Sequence, residues 1–191
     1  MQSKTDRSNP SLIPPHGGYR NLKSYQTAEI IYDATVVFCG RFIDRRSRTH
    51  DQMVQAARSG VQNIAEGSMA SATSKKTELK LIGITRASLE ELLLDCTDFL
   101  RQKSLPRWEK NHPQAATIRK LAWEKNRSYR TYKAYIEQGS PETAANALIC
   151  LMNQANYLLD QQLWQLEKQF LEQGGFTERL YQARQQAREK F

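Results

Sequence analysis

The sequence predicts an all-α protein. Apolar residues recur at steps of three and four from Leu22 to Phe170, glycine and proline become sparse after Tyr19, and no segment alternates with the period of a strand. The 191 residues are 39% apolar, enough for one core, and suit one domain with an inserted element. Lysine and arginine number 28 against 20 acids, a net charge of +8. These values exclude collagen-like, disulfide-scaffold and fully disordered chains. No run approaches the ~20 apolar residues of a membrane span.

Residues 1–18 hold Pro10, Pro14 and Pro15, end in Gly17-Gly18, and are expected to form a flexible leader without the apolar core of a signal peptide. The domain is expected over 19–173 and a short amphipathic tail over 174–191. The first helix is predicted from Leu22 to Arg45. One of its stripes runs through Tyr25, Glu29, Tyr32, Val36 and Cys39, and a second through Ala28, Ile31, Thr35, Phe38 and Phe42. A face that wide asks for more than one neighbour. The basic turn Arg45-Arg46-Ser47-Arg48 would complement the carbonyl end of the helix.

Asp51 is the expected cap of a second helix, with Met53, Ala57, Gly60 and Ile64 inward and Gly67 as its stop. Ser74 with Thr77-Glu78 opens a third helix, striped by Leu79, Ile82, Leu89, Leu93, Cys96 and Leu100. Gly83 inside it is read as a point of tight packing. After breaks at Pro106 and Pro113, a fourth, basic helix is predicted over 113–138, with Ile118, Leu121, Ala122, Tyr129, Tyr132 and Ile136 as its packing face. Ser140-Pro141 starts the last long helix, which runs to about Glu172.

The charge is concentrated. Between Arg101 and Lys133 stand ten basic residues and two acids, an excess equal to the net charge of the whole chain. Arg119, Lys120, Trp123, Arg127, Arg130 and Lys133 are the candidate nucleic-acid-binding residues, helped by Arg45, Arg46 and Arg48. Cations release counterions from phosphates, and an indole stacks on bases. The alternative is an inward Trp123 and a solvated cationic face.

The chain has no GxSxG, no glycine-rich phosphate loop and no paired HxxxH, and His16, His50 and His112 lack metal-ligand spacing. No catalytic residue, metal or cofactor is expected. Glu90, Glu91 and Asp95 read as helix-surface acids pairing with Arg86 or Lys80. Cys39, Cys96 and Cys150 are odd in number and set in apolar stretches, the pattern of reduced thiols in a cytoplasmic protein.

The stretch Ala56-Ala57-Arg58-Ser59-Gly60-Val61-Gln62-Asn63-Ile64-Ala65-Glu66-Gly67 is followed by Glu78-Leu79-Lys80-Leu81 and Ala87-Ser88-Leu89-Glu90-Glu91-Leu92. Together these resemble the four-helix-bundle proteins encoded in intervening sequences of large-subunit ribosomal RNA genes, within the subgroup called four helix bundle suffix domain. The resemblance covers roughly 19–103, with 142–172 as the last bundle helix, and its motif residues are Asn63, Glu66, Gly67, Ser88 and Glu90. It implies an antiparallel up-down four-helix bundle assembled into a homo-oligomeric ring, typically a pentamer. The accessory protein of diversity-generating retroelements, which binds nucleic acid and a reverse transcriptase, belongs to the same family. This chain departs from the family at Val61, where proline is usual, and in the 113–138 insertion, which inherits nothing from it.

The expected function is non-catalytic nucleic-acid binding, to RNA or single-stranded DNA, by a homo-oligomeric helical protein. The alternative is an oligomeric scaffold that docks an acidic protein partner. Asn63 and Glu66 are expected to tie backbone groups at a helix end, or to pair with Arg58 or Arg86.

Overall fold

The computed structural model describes Ile13 and residues 15–189, and every regular element among them is helical. A 3₁₀ turn at Tyr19–Asn21 leads into α1 (Lys23–Phe42). Its second stripe is buried at Ala28, Ile31, Thr35 and Phe38; of the first, Tyr25 and Cys39 are buried, whereas Glu29 and Val36 face solvent. The buried Thr35 hydroxyl donates to the Ile31 carbonyl at 2.7 Å, so its polar atom costs little. The helix stops at Phe42, three residues before the basic turn that was expected to close it.

Helix α2 (Arg48–Ala70) is capped by Ser47, whose Oγ accepts from the Thr49 amide at 3.2 Å. Asp51, the expected cap, sits one turn inside, where its charge suits the amide end. Gly67 does not stop the helix. It is buried within α2, which continues one turn further and leaves only Ser71–Ser74 as the connection. Ser74 caps α3 (Lys75–Gln102) as the sequence predicts, accepting from the Thr77 amide at 3.2 Å.

Small residues set the α2–α3 approach. A Cβ on Gly60 would stand 3.0 Å from Leu89, and one on Gly67 would stand 3.4 Å from Leu81. Higher numbers on α2 meet lower numbers on α3, so the two run antiparallel. Gly83, read as a tight contact, is exposed, and a Cβ there would meet nothing within 4 Å.

The predicted fourth helix is broken. In its place stand α4 (Pro113–Leu121), a connection, α5 (Tyr129–Lys133) and a π-helical stretch, Ala134–Gln138. Ser128 starts α5, its amide donating to Thr131 Oγ1 at 3.3 Å, a local restart that the continuous apolar spacing hides. Helix α4 packs on α6 (Pro141–Gln173), α5 packs on α1, and the π-helical stretch touches both. The segment is therefore a hairpin lying over α1 and α6 of its own chain, with Ala115, Ile118, Tyr132 and Ile136 buried beneath it. Full burial of an isoleucine contributes about 1.5–3 kcal/mol. The wide apolar face of α1 thus meets α2, α6 and this hairpin, the several neighbours that its width asks for.

Helix α6 starts at Ser140, which caps the Thr143 amide at 3.1 Å, and buries Ala145, Leu148, Met152, Ala155, Leu159 and Leu166. Ser24 donates to Gln162 across α1–α6, and Asn156 donates to Glu90 across α3–α6. Gly174, at φ +66°, ends it, and α7 (Phe176–Arg188) follows, touching the α2–α3 connection through Arg179 and the Ala72 carbonyl. Of the expected leader, residues 1–12 and 14 lie outside the described residues, while the Gly17 amide donates to the Ser68 carbonyl at 3.3 Å. No helix among the described residues is long and apolar enough to cross a membrane.

Candidate nucleic-acid interface

The nine cations and aromatics singled out in the sequence fall into two groups. Arg45, Arg46 and Arg48 lie in and just after the α1–α2 connection, all exposed. Phe38 and Phe42 of α1 meet Phe99 of α3, with ring centroids 5.0 and 6.3 Å apart. That contact puts the α1–α2 connection and the α3–α4 connection at one end of the long helices. Lys103, Arg107 and Lys110, all exposed, join the first group there.

The surroundings of its members differ. Arg48 borders a groove of about 480 Å³ that Asp51 and Glu91 also line. The Arg46 amide is held by Asp44 Oδ1 at 2.9 Å, leaving its guanidinium exposed. Arg101 is paired with Asp98 at 3.0 Å.

The second group lies on the hairpin of α4 and α5. Lys120, Trp123, Lys125 and Arg130 are exposed, Trp123 at 86%. Arg119 is half-buried and donates to the Lys110 carbonyl at 2.6 Å, pinning the α3–α4 connection to the last turn of α4. Arg127 reaches Thr27 Oγ1 on α1 and anchors the hairpin tip. Arg41 does the same at the hairpin's other end, donating to the carbonyls of Ile136 and Gly139. Lys133 is 3.6 Å from Glu137, which also accepts from the Tyr129 hydroxyl at 3.0 Å. Burial and that carboxylate push the Tyr129 phenol up, so it stays a neutral donor.

Arg119 and Arg127 are therefore structural, Lys133 is partly neutralised, and the one continuous cationic helix face expected from the sequence does not exist. Thr27 lies fifteen residues before the end of α1, roughly 22 Å of helix. The hairpin tip lies about that far from the end of α1, while the Arg119–Lys110 bond brings the end of α4 against the first group.

Of the motif residues, Asn63, Ser88 and Glu90 have side-chain partners. Asn63 donates to Ser59 Oγ at 3.0 Å, and Ser59 meets Ser88 Oγ at 3.2 Å, a polar bridge from α2 to α3. Glu66 is exposed. Asn63 serves no helix end, because α2 runs past it. Arg86 pairs with Asp160 on α6, so neither Glu66 nor the acids of α3 pair with it, and Glu90 instead accepts from Asn156.

Sequence reasoning missed one clamp. The Trp108 amide donates to Asn146 Oδ1 at 2.8 Å, its indole N–H donates to Glu142 Oε1 at 2.8 Å, and its ring stacks on His112 at 4.7 Å. It ties the basic α3–α4 connection to the first turns of α6. A lone tryptophan between two prolines carried no periodic signal.

Cys39 and Cys96 are buried and Cys150 is half-buried, and none is in a disulfide. Burial pushes the Cys39 thiol up to about 12 and the Cys96 thiol well above its ordinary value. Among the described residues no group of three or more His, Cys, Asp or Glu could hold a metal ion. Comparison with family models, with curated proteins and with solved structures finds no match to this chain.

Proposed function

We propose that this chain is a non-catalytic, cytoplasmic nucleic-acid-binding protein whose long helices α1, α2, α3 and α6 form an antiparallel up-down four-helix bundle. The inserted hairpin is its family-independent addition. The observation that carries the reading is the surplus charge of residues 101–133, displayed on exposed Lys103, Arg107, Lys110, Lys120, Lys125 and Arg130. None of these six has an ion-pair partner among the described residues. The motif residues and the resemblance to the intervening-sequence proteins support the bundle. The free thiols suit a reducing compartment.

The same reading makes the protein a homo-oligomer. Tyr157 and Trp164 stand seven residues apart on α6, 65% and 60% exposed, a surface that a second copy would cover. This stripe also supports the rival reading, an oligomeric scaffold whose cations dock an acidic protein.

The test is binding of the purified protein to short RNA, single-stranded DNA and duplex DNA across a salt series. A linear fall of log affinity with log salt is expected, its slope tracking the number of phosphates neutralised. Absence of binding at low salt overturns the nucleic-acid reading in favour of the scaffold.

A further inference from the structure

We infer that the turn carrying Trp123 is a stacking platform for an unpaired base, which places the ligand in the single-stranded class. The inference rests on the nucleic-acid reading above and narrows it. The chain has three tryptophans. Trp108 is buried and stacked on His112, and Trp164 carries the Lys168 ammonium 5.9 Å from its centroid. Trp123 has neither a ring nor a cation on it among the described residues, and it is the most exposed of their large apolar side chains.

Exposure here is built in. The amides of Ala122, Trp123 and Glu124 donate to the carbonyls of Arg119, Lys120 and Leu121 at 3.1 to 3.2 Å. These are i→i−3 bonds, so the end of α4 tightens into 3₁₀ winding, in which side chains three apart eclipse. Lys120 and Trp123 therefore project on one side. The platform is held from both flanks: buried Ile118 and the Arg119–Lys110 bond precede it, and the Arg127–Thr27 bond follows it. An anchored backbone turn lowers the ordering cost at the moment of contact.

Along the chain from residue 120 to 130, Lys120, Lys125 and Arg130 flank the tryptophan, all exposed and without an ion-pair partner among the described residues, against the one acid Glu124. A flat aromatic face with cations on both sides of it in the chain matches a strand whose bases are unstacked and whose phosphates flank them. Paired bases offer that face only after unstacking, which costs energy at every step. Duplex would engage the cations alone.

The experiment compares wild type, Trp123→Ala and Trp123→Phe for binding to short oligothymidylate, oligouridylate and a duplex of equal length at fixed salt. Their folding is checked by thermal unfolding; an exposed side chain leaves it unchanged. Trp123→Ala is expected to weaken single-strand binding roughly ten- to a hundredfold, with duplex binding unchanged and Trp123→Phe retaining most of the affinity. Equal single-strand affinity of Trp123→Ala and wild type overturns the platform but leaves nucleic-acid binding standing. An equal loss on duplex and single strand also overturns it, since stacking is then not the cause. If wild type binds neither ligand at low salt, both this inference and the functional reading fall.

Discussion

Arg127 and Thr27, a hundred positions apart in the chain, meet through a guanidinium–hydroxyl hydrogen bond that fastens the tip of the α4–α5 hairpin to α1. The Thr27 hydroxyl in turn donates to the Lys23 carbonyl at 2.7 Å, so it is oriented to accept from the arginine. A cation that the sequence offers as a ligand contact is thereby used for folding.

Breaking that bond should loosen the hairpin. Hydrogen bonds to charged groups contribute about 1.5–3 kcal/mol, and partial exposure brings the expected loss for Arg127→Ala to about 1–2 kcal/mol. Thr27→Val should cost a similar amount. In a double-mutant cycle measured by denaturant unfolding the two losses should overlap, and simple additivity would show that the residues are not coupled.

Glycine replacements should separate by environment. At Gly83 a Cβ meets nothing within 4 Å, so Gly83→Ala should stabilise by about 0.5–1 kcal/mol through helix propensity. At Gly60 the new methyl stands 3.0 Å from Leu89, and that side chain must shift. The gain there should be smaller or reversed, and Gly60→Val should destabilise outright by overpacking. Melting temperatures of the three variants check this order.

Charge reversal should separate the two cationic groups. Lys120, Lys125 and Arg130 replaced together by Glu should weaken nucleic-acid binding and flatten its salt slope by roughly 0.7–0.9 for each phosphate no longer neutralised. If only the Arg45, Arg46 and Lys103 replacements do so, the ligand lies at the helix ends. Charge reversal at Arg127 should instead lower the melting temperature, because it removes the anchor.

Alkaline stability follows from the buried thiol and phenol. Cys39 moves from 9.0 to about 12, and Tyr25 from 10.0 to about 12, both chiefly through burial. Above pH 9 the unfolded chain releases these protons while the folded one keeps them, so stability falls with pH between about 9 and 12. Cys39→Ala should make that fall shallower. At neutral pH a thiol reagent should modify half-buried Cys150 first, with Cys39 and Cys96 reacting only on unfolding.

The exposed stripe on α6 predicts association. Light scattering should report an oligomer for wild type and a smaller species for Tyr157→Ala with Trp164→Ala. An unchanged mass would place any subunit contact elsewhere.

Much of the helix pattern is legible in local sequence. Ser74 with Thr77 and Ser140 with Pro141 start helices wherever they occur, because a cap acts on amides two or three residues away. The core stripe Ala145–Leu148–Met152–Ala155–Leu159 is legible for the same reason: period alone assigns the face. Local signals also misled. Asp51 and Gly67 have the right residue types for a cap and a stop, but Ser47 stands closer to the turn, and α2 gains burial against α3 by running on to Ala70.

What the sequence by itself determined is the all-helical class, the approximate span of the long helices and the segment that holds the net charge, all properties of composition and short-range spacing. The tertiary structure alone decided that 113–138 folds back as a hairpin on α1 and α6. It also decided that Arg119, Arg127 and Arg41 serve as anchors while Lys120, Trp123 and Arg130 stay open. An arginine's role depends on whether a carbonyl or hydroxyl from a distant helix comes within about 3 Å, and no local pattern encodes that distance.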